Sequence, residues 1–171
     1  MDIFAHFLWI YILFYKYKYL NWALLFAILP DLLSWGIYSV YALASKTQHF
    51  GKPHLAQIPR WVHTLYGITH SIFIFILVFV AVWISIKELP IFLLPWIIHI
   101  LIDIPTHSRN FLPTPFLWPF SSWQFPGISW GSRWFMIANY TLIIICLTLT
   151  IGYGENILVT IKNFIKSLIK S

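Results

Sequence analysis

Two aspartates lie in strongly apolar sequence, where a carboxylate is difficult to accommodate. Asp31 follows the apolar run of residues 23–30, and Asp103 ends a similar run of residues 96–103. The whole chain has only five acidic residues. An ionised carboxylate in hydrocarbon costs several kcal/mol of transfer free energy, so such residues usually mark an ion pathway, a proton relay or a bound ion. The two aspartates therefore predict a functional site inside an apolar region.

Histidines near these aspartates supply the other half of a metal site. His99 and Asp103 are spaced i,i+4, which places them one turn apart on the same face of a helix. His107 would be next on that face, but Pro105 intervenes, so we expect His107 to enter from a short loop. Helix bundles hold metals with such residues from several helices. The predicted metal ligands are His6, Asp31, His70, His99, Asp103 and His107.

This ligand set indicates the kind of ion and the chemistry that the ion supports. Imidazole and carboxylate ligands without thiolate suit zinc foremost, with manganese or iron as alternatives. The single cysteine, Cys146, excludes a cysteine-based zinc site and an intrachain disulfide. Six ligands suffice for one or two divalent ions, and a pair of ions activates a bridging water and holds a phosphate group. Arg109 suits a phosphate oxygen, so the predicted catalytic residues are Asp103, His107 and Arg109.

The composition places this site in a membrane protein. Hydrophobic residues make up 60% of the chain and charged residues only 9%, and the mean hydropathy is +0.78, which is far too apolar for a soluble domain. The N-terminal residues lack a basic region and a cleavage site, so we expect a retained first helix and not a signal peptide. The net charge of +6 is scattered at segment ends, a pattern that favours membrane lipids as partners and no nucleic acid. We predict a multi-pass protein of the cell (inner) membrane.

Hydrophobic segments at about residues 3–15, 20 to 35–43, 64–86, 90–104 and 134–153 predict the elements that position the site. We expect Pro30 and Gly36 to kink or end the second segment. The predicted fold is all-α: a polytopic membrane helix bundle of about five hydrophobic helices. Five of the ten prolines fall between residues 105 and 126, which predicts an irregular, aromatic loop at the membrane interface. Residues 1–154 form the predicted membrane domain, and residues 155–171 form a basic amphipathic helix on one leaflet.

Five alternating spans bring the predicted ligands to one level of the membrane. Lys16, Lys18, Lys87 and the basic tail then share one side, which we expect to be cytoplasmic. All six predicted ligands fall near the opposite side, although the segments are assigned from hydrophobicity alone. This common depth is the main argument from the sequence for a single site.

Several short motifs, taken together, resemble a known family. They are His6, the turn Leu29-Pro30-Asp31, the Gly-Ile-Thr-His-Ser of residues 67–71, the His99–Asp103 pair and the Trp-Pro-Phe-Ser of residues 118–121. Over roughly residues 1–125 the chain resembles the membrane-bound, predicted metal-dependent hydrolases of the LexA-regulated inner-membrane protein type. That family is distantly similar to zinc-dependent phospholipase C. The resemblance implies metal binding by the His and Asp residues, and hydrolysis of a phosphoester.

The chain departs from that family's pattern at three positions. The family commonly has His-Arg-Gly-x-Thr-His-Ser, and here Leu65 and Tyr66 occupy the first two positions. Leu33 stands where a second aspartate often follows the Pro-Asp turn. We expect His107 to replace one lost ligand. These departures bear on the number of metal ions and on activity.

Three functions remain open on the sequence alone. The first is a membrane-embedded metallohydrolase acting on a phospholipid or a lipid-linked phosphoester. The second is an ion or proton carrier in which Asp31 and Asp103 relay charge. The third is a catalytically silent membrane protein whose His/Asp cluster is structural. The other histidines, His49, His54 and His63, are expected to be solvated or hydrogen-bonded, and the sequence does not specify the oligomeric state.

Overall fold

The computed structural model describes residues 1–46, 53 and 57–169, with side chains described as far as residue 152. Within these ranges the chain is helical and contains no β-strand, which confirms the predicted all-α class. The helices are α1 (Ile3–Phe14), α2 (Leu20–Asp31), α3 (Ile37–Ala44), α4 (Arg60–Thr69), α5 (Ile72–Ile86), α6 (Leu94–Thr106) and α7 (Arg133–Ile169).

Fewer helices are long enough to cross a membrane than the sequence predicted. The described residues contain two such helices, Leu20–Ala44 and Arg133–Gly152, or three if α4 and α5 count as one bent span. Helix α1 has 12 residues and α6 has 13. At a rise of about 1.5 Å per residue each is roughly 20 Å long, short of the hydrocarbon thickness of about 30 Å. The expectation of five spanning helices was therefore wrong.

The helix predicted over residues 64–86 is broken in the middle. Helices α4 and α5 meet at an angle of 54°. Ser71 between them has an extended backbone, and its hydroxyl accepts a hydrogen bond from the backbone N–H of Ile74 at 3.3 Å. Serine is a favoured N-cap residue because its hydroxyl satisfies an N–H of the first turn. The break leaves His70 at the end of α4, with its side chain turned into the protein.

The helix Leu20–Ala44 changes its winding at the second predicted site residue. Asp31 ends α2, and residues Leu32–Gly36 form one turn of π-helix before α3 begins. Pro30 lies inside α2, and its carbonyl accepts a hydrogen bond from the Ser34 hydroxyl at 2.8 Å. Pro30 and Gly36 thus alter the helix without ending it. Single π-helical turns occur frequently at functional sites, and this one follows Asp31 directly.

Helices α1, α2 and α6 pack around the interior of the protein. Ala23 and Ala27 on α2 and Ile10 on α1 are fully buried against one another, with Ile98 of α6 beside them. Small residues let helix backbones approach closely. Helix α2 therefore lies against both α1 and α6, and polar side chains on these three short segments come within reach of one another.

The loop between α6 and α7 is irregular, as its prolines predicted, and it supports the site from outside. The backbone N–H groups of Ile128 and Trp130 donate to the carbonyls of Pro105 and Thr106 at 2.8 and 2.9 Å, which satisfies the end of α6. Gly127 lies so close that a Cβ there would be 2.5 Å from the His107 carbonyl oxygen.

The same loop joins two of the motifs that carry the family resemblance. The Ser71 hydroxyl donates to the Trp118 carbonyl, and the N–H of Ile72 donates to the carbonyl of Phe116 at 3.0 Å. The indole of Trp118 lies against Gly67, where a Cβ would be 3.0 Å from the ring. Residues 67–71 and 118–121 therefore form one packed unit that holds the junction between α4 and α5.

The predicted amphipathic tail is not a separate helix. Helix α7 runs without interruption from Arg133 to Ile169, so the backbone of residues 155–169 continues the preceding span. The side chains that would lie on a leaflet are outside the described residues, as are His49 and His54.

Candidate metal centre

Four of the six predicted ligands converge on one point. One nitrogen or oxygen each from Asp31, His70, His99 and Asp103 lies within 4.8 Å of all the others. The two Nε2 atoms of His70 and His99 are 3.2 Å apart. His70 Nε2 is 3.6 Å from Asp31 Oδ1 and 3.5 Å from Asp103 Oδ2, and His99 Nε2 is 3.9 and 3.2 Å from the same atoms.

These separations match the edges of a tetrahedral ion site. Zinc binds nitrogen and oxygen ligands at about 2.0–2.1 Å, so neighbouring ligand atoms of a tetrahedral site are separated by about 3.3–3.4 Å. The five separations given above, 3.2 to 3.9 Å, bracket that value, and the sixth, between Asp31 and Asp103, is within 4.8 Å. The longer distances both involve Asp31. The four residues could therefore hold one metal ion with little rearrangement.

The hydrogen bonds of the two imidazoles turn their lone pairs towards the centre. His99 Nδ1 lies 2.7 Å from the carbonyl oxygen of Ala27, and His70 Nδ1 lies 3.2 Å from that of Tyr66. A carbonyl oxygen only accepts, so a hydrogen on the Nδ1 of His99 is donated to Ala27. The Thr69 hydroxyl lies 2.9 Å from His70 Nδ1, closer than the Tyr66 carbonyl, and it can donate or accept. With the hydrogen on Nδ1, each ring would present an Nε2 lone pair to the other. Metal-bound histidines characteristically donate their outer N–H to a carbonyl in this way.

Asp103 divides its two oxygens between the centre and its own support. Its side chain is fully buried, and Oδ2, which faces the two imidazoles, has no hydrogen-bond partner among the described residues. Its Oδ1 accepts hydrogen bonds from His6 Nε2 at 2.8 Å and from the amino group of Met1. A buried carboxylate oxygen without a partner is costly. A cation among the four residues would remove that cost.

His6 lies beside the group, not within it. The 2.8 Å between His6 Nε2 and Asp103 Oδ1 is a hydrogen-bond distance, shorter than the separation of about 3.3 Å between two ligands of one tetrahedral ion. The ring of His6 stacks on that of His99, with centroids 3.7 Å apart and planes 18° apart. Both residues are fully buried. His6 therefore orients Asp103 and His99 in this arrangement.

His107 caps the C-terminus of α6, which continues through Pro105 to Thr106, so His107 does not enter from the short loop that we expected. Its Nδ1–H donates to the backbone carbonyl of Asp103 at 3.1 Å, and the same nitrogen is 3.5 Å from Asp103 Oδ1. Burial, which outweighs the attraction of Asp103, lowers the pKa of His107 to about 4. The imidazole is thus neutral near neutral pH. Its hydrogen is on Nδ1, and its Nε2 carries no hydrogen.

Arg109 does not reach the group. Its side chain is exposed, and its guanidinium donates two hydrogen bonds to the backbone carbonyl of Gln124 at 3.1 and 2.8 Å. Two of the positions that differ from the motifs of the resemblance have different surroundings. The side chain of Leu33 is 41% exposed, whereas the ring centroid of the buried Tyr66 lies 4.0 Å from that of His70.

A cavity of about 430 Å³ adjoins the group. Asp31 and His107 belong to its wall, together with residues from the start of α1 and from the π-helical turn. Asp31 keeps 15% of its side chain exposed, whereas His70, His99 and Asp103 are fully buried. A molecule that enters the cavity therefore meets the group from the side of Asp31.

Sequence reasoning missed two backbone groups that shape this site. The carbonyls of Ala27 and Tyr66 set the orientation of the two imidazoles, and no side-chain type in the sequence marks a carbonyl for this role.

Comparison of the chain with protein-family models, curated proteins and solved structures finds no match.

Proposed function

We propose that this protein is a membrane-embedded, metal-dependent hydrolase that acts on a phospholipid or a lipid-linked phosphoester. The observation that carries the proposal is the convergence of Asp31, His70, His99 and Asp103 at the spacing of a tetrahedral ion site, beside a cavity. The resemblance in short motifs described above supports the same reading.

Placement in a membrane is supported by the exposed surface of the long helices. On α5 and α7 large apolar side chains face outwards, among them Leu77, Ile84 and Ile144, each more than 60% exposed. So much exposed apolar surface is unfavourable in water and favourable in hydrocarbon. We propose a multi-pass arrangement in which the polar group lies within the protein interior.

The four converging residues would hold one divalent ion, with zinc favoured by its preference for tetrahedral nitrogen and oxygen ligands. Such an ion, when bound, supplies Lewis acidity and makes water a stronger nucleophile. The chain itself holds the ligands in place: His6 fixes one oxygen of Asp103, and backbone carbonyls fix the two imidazoles.

His107 is the residue that we assign to proton transfer. It lines the cavity, and its neutral ring has an Nε2 that can accept a proton while Nδ1 stays bonded to the Asp103 carbonyl. Asp31 lies on the same wall, so it would be the ligand closest to a substrate. Arg109 has no part in this proposal, because Gln124 engages its guanidinium.

Elemental analysis of the detergent-purified protein tests the proposal, together with a His99→Ala/Asp103→Ala variant and His63→Ala as a control. His63 is exposed on α4, away from the four residues. We expect about one equivalent of metal in the unaltered protein and in the control, and none in the double variant. Hydrolysis of lipid phosphoesters should be present in the unaltered protein and in the control, and absent from the double variant. Protein from metal-replete cells that contains no metal would refute the proposal.

One observation favours a second function, a purely structural metal site. Structural zinc sites are closed by four protein ligands, whereas catalytic sites keep an open position, and three of the four residues here are fully buried. Under this alternative, metal removal lowers the melting temperature and no substrate is turned over. Asp31, which is partly exposed, favours the hydrolase, because its longer distances mark it as the ligand that can move away from the ion.

A further inference from the structure

The wall of the cavity contains acidic and aromatic side chains and lacks basic ones. Asp2, Asp31, Trp35 and Trp130 belong to it, and no lysine or arginine does among the residues that the structure describes. Arg109, which the sequence suggested as a partner for phosphate, is bonded to Gln124. Among the described residues, an anionic group in this cavity would meet no lysine or arginine side chain, and the amino group of Met1, which also belongs to the wall, is bonded to Asp103.

Asp2 contributes a carboxylate that uncharged donors hold in place. Its Oδ1 accepts hydrogen bonds from the N–H of Ala5 at 3.0 Å and from the hydroxyl of Tyr140 at 2.8 Å, both uncharged donors. Its Oδ2 is buried and has no hydrogen-bond partner within the described part of the chain. Asp2 also caps the N-terminus of α1, where the helix dipole favours an ionised carboxylate. The carboxylate is thus held in place, and one of its oxygens has no hydrogen-bond partner among the described residues.

An indole ring on the same wall is held rigidly. Trp35 stacks on Phe111 with centroids 6.4 Å apart, and it meets Tyr38 edge-on at 5.6 Å. Indole faces attract ammonium groups through the ring quadrupole, and the attraction grows when water is excluded. A carboxylate beside such rings is the chemistry that recognises an alkylammonium ion.

The size of the cavity limits which part of a lipid it can contain. Its volume of about 430 Å³ is within the usual range for small-ligand sites. That space suits a polar headgroup, while the acyl chains of a two-chain lipid have to remain outside it. The headgroup would then lie between Asp31, on the side of the metal group, and the rest of the wall.

We propose that the headgroup of the substrate carries an ammonium group, which Asp2 and the indoles of Trp35 and Trp130 receive. This inference rests on the proposed function, since it places the phosphoester at the metal group and the ammonium at the cavity wall. It selects zwitterionic lipids against lipids whose headgroup is anionic throughout, because only the former bring a cation to Asp2.

Isothermal titration calorimetry on the detergent-purified, zinc-loaded protein tests this selection. The probes are two non-hydrolysable phosphonate lipids with the same pair of hexanoyl chains, one ending in trimethylammonium and the other in glycerol. We expect the ammonium probe to bind about tenfold more tightly, the effect of one desolvated cation contact. In Asp2→Asn the preference should fall below about threefold, while the amide oxygen still accepts from Ala5. Glu88→Gln, which removes an exposed acid from the turn after α5, should keep the full preference.

Three results of this titration would overturn the inference or a part of it. Equal or tighter binding of the glycerol probe, or failure of both probes to bind, would overturn the inference on the unaltered protein alone, whether or not the variant folds. A preference that survives in Asp2→Asn would overturn the assignment to Asp2. An ammonium preference that depends on Asp2, found in a protein that cleaves no phosphoester, would contradict the hydrolase and leave the ammonium site standing.

Discussion

Two regions of the protein differ in where their polar and apolar side chains lie. The interior where α1, α2 and α6 meet buries polar side chains, whereas the outer face of α7 exposes apolar ones, the reverse of a water-soluble protein. In the interior, His6, His99 and Asp103 are fully buried. On α7, Trp134 is 79% exposed and Ile144 is 63% exposed. The polar interior depends on specific hydrogen bonds, because each buried polar group has to find a partner. The outer face needs only an apolar surrounding, so it tolerates change where the interior does not.

The largest expected effect comes from comparing two neighbouring isoleucines on α7, one buried and one exposed. Ile143 is 1% exposed and packs on Met1 and Ala5 of the α1 region, whereas Ile144 faces outwards. We expect Ile143→Ala to lower the free energy of unfolding by about 2–5 kcal/mol through a cavity, and Ile144→Ala to change it by less than about 0.5 kcal/mol. Thermal unfolding in one detergent measures both, and equal losses would show that the outer face of α7 packs on protein.

The second-largest loss of unfolding free energy is expected from a change in the α6–α7 loop, which supports the interior. In Gly127→Ala the new methyl group would lie 2.5 Å from the His107 carbonyl oxygen and 2.6 Å from that of Pro105. The loop has to move, at a cost of about 1–3 kcal/mol in unfolding free energy. Gly152→Ala is the matched control, because nothing lies within 4 Å of the new Cβ. A Gly127→Ala protein as stable as the control would mean that the loop does not hold the end of α6.

A smaller effect distinguishes a ligand from a residue that orients a ligand. If His6 only holds Asp103 Oδ1, His6→Ala should weaken metal binding by about 10–100-fold, the usual cost of losing an outer-shell partner. His6→Asn, whose amide can donate a hydrogen bond, should recover part of the loss. Competition with a chromophoric chelator measures the affinities. Complete loss of metal in both variants would instead make His6 a direct ligand.

The sequence predicted the members of the site better than their roles. Asp31, His70, His99 and Asp103 were identified because charged or imidazole groups in apolar segments need a purpose, and they do converge. Residue type and depth do not reveal which oxygen of Asp103 a histidine contacts, so His6 was placed among the ligands. Arg109 followed His107 closely in sequence, yet the chain turns its side chain to Gln124.

The number of spans shows a similar limit. Hydrophobicity identified the segments of α1 and α6, but a buried helix in a core and a membrane span have the same apolar composition. Their lengths of 12 and 13 residues separate the two cases. At the break between α4 and α5, the Ser71 hydroxyl also donates to the carbonyl of Trp118, 47 positions away, and local sequence does not reveal such a contact. Pro30 and Gly36 indicated an irregularity correctly, although they predicted a kink or an end and the helix forms a π-helical turn.

X-ray absorption spectroscopy of the metal bound to the purified protein tests the central claim most directly. Four nitrogen or oxygen neighbours at about 2.0–2.1 Å, with the outer-shell scattering of two imidazoles, would match Asp31, His70, His99 and Asp103. A shell with sulfur, a shell of water oxygens without imidazole, or a spectrum that does not change in the His99→Ala/Asp103→Ala variant would contradict the claim.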